Sequence, residues 1–497
     1  MKRRTTATPT GTGVRPANQR NADVTARGRG LPRLVVLTLA AFAMASAQAA
    51  EVDGRSLSMW WGVPFAGLLL SIAVLPLVAP HVWHRHFGKV TALWALAFLL
   101  PYGFGFGAGA AAGALVHAAV AEYIPFIILL TALFVVAGGI HIRGNLRGTP
   151  GLNTALLLLG AVLASLMGTT GASMLMVRPL IRANDNRAHR THVMIFFIFI
   201  VANAGGSLTP LGDPPLFLGF LKGVDFFWTL RHILPETTFL IGVQLALFYL
   251  LDGWYFRQRD ERQPVDPTPD TRTIGIDGGV NVVLLLAVVG LVLLSGFWKS
   301  SDAFSVLGSE VALPGLVRDV GMLVVIALSL LLTPAAVHDD NQFSWGPMQE
   351  VAKLFAGIFL TIVPVIAMLK AGIDGPFGGV VAAVTRADGS PDPAMYFWAT
   401  GLLSSFLDNA PTYLVFFNTA GGDAAALMGP MATTLTAISA GAVFMGANSY
   451  IGNAPNLMVK AVAEDRGVPM PSFFGYMAWS CGILLPLFLL MTVIFLR

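Results

Sequence analysis

The chain has 497 residues, 55% of them apolar and only 12% charged, with a mean hydropathy of +0.70. A soluble globular domain carries roughly 25% charged residues, so this composition excludes one, and the single cysteine, Cys481, excludes a disulfide scaffold. What remains is a polytopic helical membrane protein, in which a formal charge of +4 reflects Lys and Arg in flanking loops and not a nucleic-acid surface.

Residues 1–33 hold eight Lys or Arg and one acid, Asp23, among Thr, Pro, Gly and Asn, and are expected to be disordered. Leu34 to Met44 is a short apolar run, followed by Ser46-Ala47-Gln48-Ala49-Ala50. Basic, apolar and small residues in that order suit a signal peptide cleaved after Ala47-Gln48-Ala49; an uncleaved first helix is the other reading of 1–50. Both put residues 51–58 outside the cytoplasm. A first unit then covers 59–251, a polar linker 252–278 and a second unit 279–497.

Apolar runs long enough to span ~30 Å of hydrocarbon are predicted near 61–80, 90–110, 123–142, 193–222, 233–251, 279–298, 317–335, 351–372, 432–463 and 473–496. Two more, 152–181 and 395–420, are interrupted by Gly168-Thr169-Thr170-Gly171 and by Asp408-Asn409-Ala410-Pro411. Such residues at mid-membrane depth predict re-entrant hairpins, because broken backbone is tolerated there only inside protein or beside a water-filled cavity. With both stretches re-entrant, fifteen Lys or Arg beyond residue 50 fall on cytoplasmic loops and eight outside, and the linker lies inside. A full crossing by 152–181 would export the Arg-rich 178–190 segment, against the positive-inside rule.

The two units resemble each other. Ser165-Leu166-Met167-Gly168-Thr169 aligns with Ser405-Phe406-Leu407-Asp408-Asn409, and Gly212-Asp213-Pro214-Pro215 with Gly452-Asn453-Ala454-Pro455, at one common offset. Asn203 has its counterpart in Asn448 after a short gap. Each unit reads as five crossings plus one hairpin, one crossing being broken. Five is odd, so the second unit is inserted upside down. The expected fold is all-α, with two inverted repeats whose broken elements meet at the midplane, the plan of secondary transporters.

In the first break, Asn203 to Pro215, consecutive prolines remove backbone donors and glycines remove steric restraint. The freed carbonyls, with Asn203, Ser207 and Thr209, are hard oxygen ligands for a small cation. Asp213 is the charge there, and an intramembrane carboxylate costs several kcal/mol unless paired or protonated. Such a group can exchange a proton for a cation. The second break offers Asn448, Asn453 and Asn456; its hairpin offers Asp408, Asn409 and Thr412, and the first hairpin Thr169, Thr170 and Ser173. One site with two carboxylates and a ring of amides and hydroxyls is expected, with Na+ at Asp213 and Asp408. Other residues have ordinary readings: His81, His84 and His86 as interfacial histidines in a short loop, Arg178 as a positive-inside anchor, and Glu122 and Glu236 as wetted membrane-edge acids.

The stretches Asn203–Pro215, Ser404–Thr412 and Gly446–Asn456 resemble the ion-transporter superfamily. The nearest resemblance is to NhaD-type sodium/proton antiporters and related arsenite permeases, with citrate-transporter-like relatives, over roughly residues 60–495. The resemblance implies two re-entrant hairpins and elevator-like movement of the hairpin domain. It carries over to Asp213 and Asn203, and to Asp408, Asn409 and Asn453. NhaD-type antiporters are expected to have an acid in the first hairpin, where this chain has Gly168-Thr169-Thr170, so the resemblance leaves the cation and its stoichiometry open.

The expected function is secondary transport across a bacterial-type inner membrane, as a sodium/proton antiporter and not an enzyme. Na+ and H+ are transported ions, and no cofactor is expected. The partners are that cation, the proton and the bilayer, with no nucleic acid. Homodimers are common in the superfamily, though the sequence carries no dimer signal. A first rival is a cation-coupled transporter of a citrate-like carboxylate or arsenite-like oxyanion. The break motifs hold no Lys or Arg, but helix N-termini and amides can also hold a carboxylate. A remote rival is an intramembrane aspartyl protease, whose Gly-x-Gly-Asp setting fails here at Pro210.

Overall fold

A computed structural model describes residues 53–258, 261 and 273–496. The reading of 1–50 as disordered segment plus signal or first helix, and most of the linker, lie outside the described residues.

The first unit opens with α1 (Val63–Val78), α2 (Pro80–Phe106) and α3 (Ala108–His117), which runs through a π-helical turn at Ala118–Tyr123 into α4 (Ile124–Gly138). Next come α5 (Pro150–Met167), α6 (Thr169–Ala183), α7 (Thr191–Ile200), α8 (Pro214–Leu221) and α9 (Trp228–Phe256). The second unit has α10 (Val280–Phe297), α11 (Leu313–Leu332), the short α12 (Ala335–Asp340), α13 (Gly346–Thr361), α14 (Val363–Lys370) and α15 (Gly378–Ala383). It ends with α16 (Pro393–Phe406), α17 (Asn409–Thr419), α18 (Ala424–Met428), α19 (Ala432–Met445), α20 (Ala454–Asp465) and α21 (Phe473–Phe495). Among the described residues nine helices are long and apolar enough to cross a membrane, or ten if the bent pair α13–α14 is one span.

Strands are few. β1 (His141–Arg143) pairs antiparallel with β2 (Gly275–Asp277), joining the end of α4 to the start of α10. β3 (Ala303–Val306) and β4 (Ser309–Ala312) form a hairpin between α10 and α11, turned by Leu307 and Gly308, both at positive φ.

Four boundaries differ from the sequence expectation. α2 starts at Pro80, so His81, His84 and His86 lie on its first turns and not in a loop. A proline at the first helical position loses no hydrogen bond. Ala108–Gly138 is one continuous helical run, where separate spans at 90–110 and 123–142 were expected. The chain reverses at Gly107, at φ 95°, and the Ala-rich stretch after it is a strong helix former. α9 extends to Phe256, into the expected linker. The 351–372 span bends by 42° between α13 and α14, where Pro364 removes a backbone donor.

The interior is built on α7 and α19. Every residue from His192 to Ile200 is buried, and so is every residue from Thr434 to Met445. Helices apolar on all sides belong inside a bundle. α10 and α11 instead expose many large apolar side chains, including Val283, Leu286 and Leu331, as lipid-facing helices do.

The predicted interruptions are present. α5 and α6 pack on each other and join at Gly168, at φ 81°. α16 and α17 join at Leu407-Asp408. After α7 comes a 3-10 turn (Ala204–Leu208), then extended backbone at Thr209 and at Asp213. After α19 comes a 3-10 turn (Gly446–Asn448), then extended backbone at Ser449 and at Asn453. The local bonds match. The Thr209 hydroxyl donates to the Ser165 carbonyl, and the Ser449 hydroxyl to the Ser405 carbonyl. Leu211 N donates to Thr209 Oγ1 at 3.2 Å, and Ile451 N to Ser449 Oγ at 3.2 Å. Two glycines permit this close folding: a Cβ at Gly212 would lie 2.1 Å from the Gly206 carbonyl oxygen, and one at Gly452 2.6 Å from that of Gly446.

A buried polar cluster anchors the base of the first hairpin. Arg187, 1% exposed, donates to Asp252 Oδ1 at 2.6 Å and to Glu261 Oε1 at 2.7 Å. His192 Nε2 lies 2.8 Å from the same Asp252 oxygen, and Asn153 Nδ2 donates to Asp252 Oδ2 at 3.0 Å. The cluster ties α5, the α6–α7 connection and α9 together.

Candidate functional site

A pocket of about 110 Å³ lies where the interruptions meet. Its polar wall comes from both hairpins and both breaks: Thr169 and Thr170, Asp213, Asp408 and Asn453. Its apolar wall comes from α4, through Leu129 and Leu133, and from α13, through Met348 and Phe355. Among the described residues no Lys, Arg or His lines it.

The geometry follows from where the helices start. Thr169, Pro214 and Ala454 are first residues of α6, α8 and α20, while Asp408 caps α17. Four helix N-termini therefore border one pocket, and their partial positive charges offset the two acids. They are not equal as donors. Pro214-Pro215 and Pro455 remove amide N–H groups from the starts of α8 and α20. The first turn of α6 keeps its own, and Thr170 and Gly171 have no intrahelical acceptor there.

Asp213 is 1% exposed and rests on three side chains from three other elements. Thr169 Oγ1 donates to its Oδ1 at 2.9 Å, Asn453 Nδ2 approaches the same oxygen at 3.4 Å, and Asn409 Nδ2 donates to its Oδ2. Asp408 is less enclosed. It accepts from Ala410 N at 3.1 Å, as an N-cap does, and it faces the pocket. The Asn409 Oδ1 acceptor, buried next to Asp213, has no partner among the described residues.

Behind Asp213 the breaks are joined by amides. Asn203 Nδ2 donates to Asn456 Oδ1 at 2.8 Å. Asn456 Nδ2 reaches the carbonyls of Gly446 and Ser449, both at 2.9 Å. Asn453 Nδ2 also reaches the Ala202 carbonyl at 3.1 Å. These asparagines position Asp213 and hold the breaks in register.

The predicted residues thus separate into three sets. Asp213, Asp408, Thr169, Thr170 and Asn453 line the pocket, with Asn409 directly behind Asp213. Asn203 and Asn456 form the bridge. Ser207, Thr209, Thr412 and Asn448 turn away. Ser207 bonds Ala204 O and Thr237, Thr209 bonds Ser165 O, Thr412 bonds Asp408 O, and Asn448 bonds Ser405 Oγ. The expected ring of hydroxyls is therefore smaller than its sequence list. Short hydroxyl side chains at unwound backbone satisfy nearby carbonyls first.

Sequence reasoning missed the apolar wall, since Leu129 and Phe355 read there as ordinary span residues and Met348 fell just before the expected span 351–372. It also misplaced Glu236, which is buried, with Oε2 unpartnered, and not wetted. Among the described residues no three His, Cys, Asp or Glu side chains stand together as a metal cluster, His81, His84 and His86 included.

A family model described as "Putative citrate transport" matches residues 54–496. Uncharacterized transporters of Mycobacterium bovis and Mycobacterium tuberculosis are each 24% identical to the chain over 410 residues, 80% of this chain and 85% of the relative. Of the resemblances drawn from the motifs, the family match supports the citrate-transporter-like one and does not speak for NhaD-type antiport.

Proposed function

Because the chain belongs to this citrate-transport family, we propose that it is a cation-coupled transporter of small polycarboxylates in a bacterial-type inner membrane. The observation that carries this reading is the pocket itself. Four helix N-termini and two carboxylates converge on it without a basic side chain among the described residues, so it offers partners for an anion and a cation together.

The division of labour follows from the donors. A substrate carboxylate fits the open first turn of α6 at Thr170 and Gly171, where amide donors and the helix dipole favour negative charge. A coupling Na+ or H+ fits Asp213, Asp408 and the unpartnered Asn409 Oδ1, which supply oxygens only. Each charge makes the other's binding more favourable, and that coupling lets a cation gradient drive an anion. The matching breaks and hairpins support a reading as two inverted repeats with re-entrant hairpins. The hairpin elements slide against the α4–α13 wall, whose apolar contacts carry no directional bonds.

Sodium/proton antiport is the second reading. It is favoured by the same oxygen set and by the lack of a basic residue in the pocket. Purified protein in liposomes separates the two. Radiolabelled citrate accumulation that requires a sodium or proton gradient supports carboxylate transport. Sodium-dependent collapse of a proton gradient without citrate movement replaces it with antiport.

A further inference from the structure

Three elements lining the pocket also lead away from it toward one basic end of the bundle. α6 runs from Thr169 to Arg178 and Arg182, and α20 runs from Ala454 past Met458 to Arg466, just beyond its end. From Pro347 and Met348 in the first turn of α13, the chain runs back to Gln342. At 1.5 Å per residue, Arg178 and Arg466 stand on the order of 12–14 Å from the pocket. They are also near one another. α6 packs on α20, Arg178 Nη2 donates to Gln342 Oε1 at 3.2 Å, and Arg466 interacts electrostatically with both Arg178 and Arg182.

These guanidiniums have donors to spare. Nε of Arg178 and Nε of Arg182 are buried without an acceptor among the described residues. Asp185, Asp340 and Asp465 lie within electrostatic range, yet none of the three arginines forms an ion pair among the described residues. Arg187, on the connection just after α6, is the contrast, since both Asp252 and Glu261 hold it. Arg187 is held by two acids, whereas Arg178 and Arg182 are held by neutral acceptors, Gln342 Oε1 and the Ile142 carbonyl at 2.6 Å, and keep their charge unpaired among the described residues.

We propose that Arg178, Arg182 and Arg466 form a vestibule that recruits di- and tricarboxylate anions to the cytoplasmic mouth of the pocket. The proposal rests on the carboxylate reading of the site. Three neighbouring planar donors match a multivalent carboxylate better than a monovalent one. A focused positive field at a cleft mouth raises encounter rates in a salt-dependent way. It acts on substrate capture and leaves the translocation step alone.

Everted vesicles, which present this end outward, provide the test with radiolabelled citrate at low and high ionic strength. The R178Q/R466Q variant is expected to raise the citrate KM about tenfold at low salt. Its maximal rate should stay near wild type, and the salt dependence should flatten. R178K/R466K should restore most of the effect, and KM for acetate should hardly move. If the double variant fails to fold, R466Q alone, at an exposed residue, should raise KM in the same direction. An unchanged KM and salt profile overturns the vestibule while leaving citrate transport standing. An effect seen only in membranes containing anionic lipid also overturns it, and assigns the arginines to headgroups. Wild-type protein that moves no carboxylate overturns the functional reading, and the vestibule with it.

Discussion

Asn453 follows Asp213 by 240 residues, and its Nδ2 lies 3.4 Å from Asp213 Oδ1, so the corresponding positions of the two breaks meet. Their backbones agree as well, at φ −147° and −151°. One position holds an acid and the other an amide. Two acids there would repel across a water-poor gap, whereas an amide donates to the carboxylate and holds it.

That pairing makes the substitutions asymmetric. Asp213→Asn keeps the shape but turns one acceptor into a donor beside donors from Thr169, Asn409 and Asn453. Transport should fall by two orders of magnitude or so, and stability by about 1–3 kcal/mol. Asn453→Asp should do more damage, because it adds a like charge to a buried carboxylate. Thermal unfolding in detergent beside vesicle uptake checks both; wild-type-like uptake by Asp213→Asn would remove this carboxylate from the mechanism.

The glycines give a steric test. Gly212→Ala drives a methyl group to 2.1 Å from the Gly206 carbonyl oxygen and should cost about 1–3 kcal/mol while abolishing uptake. Gly452→Ala should behave alike, at 2.6 Å from Gly446 O. Gly151 in α5 faces open space, so Gly151→Ala should be neutral or stabilise by up to about 1 kcal/mol. Melting curves of the three variants decide the matter.

The buried cluster predicts a large and specific cost. Asp252→Ala leaves Arg187 with Glu261 as its one acidic partner, beside Asn184 Oδ1, and removes the carboxylate that His192 and Asn153 share. Breaking a buried pair in this way costs about 3–5 kcal/mol. Replacing Arg187 and Asp252 together by Met and Leu should recover only part of it, because the buried Glu261 then keeps His189 as its side-chain partner. A double-mutant cycle on thermal stability reads the coupling.

A rim pair should matter far less. Lys222 at the end of α8 meets Glu122 on the π-helical turn, and both side chains are partly exposed. Glu122→Gln should change stability by less than about 1 kcal/mol, with that difference shrinking at high salt. A loss of several kcal/mol would mean that the pair is shielded from solvent.

The positions of the interruptions were legible because glycine and proline act locally. Gly168, Gly205-Gly206 and Pro214-Pro215 each weaken the helix locally, and the structure breaks there. Asp213 and Asp408 were legible for a related reason: charge is rare in apolar runs, and both line the pocket. The hydroxyls were read less well. Ser207 and Thr209 stand within a few residues of Asp213 in the chain, yet they bond Ala204 and Ser165 carbonyls and not the pocket.

Composition and local breakers, then, determined that this is a helical membrane protein with four interruptions and two acids within them. Tertiary structure alone decided which donors hold Asp213, that Leu129 and Met348 wall the pocket, and that Arg187 is ion-paired while Arg178, among the described residues, bonds only the neutral Gln342. The reason is one of range. A proline or glycine constrains its own turn of backbone, but a hydrogen bond from Asn409 to Asp213 spans 196 residues, and it exists only once the helices between them have packed.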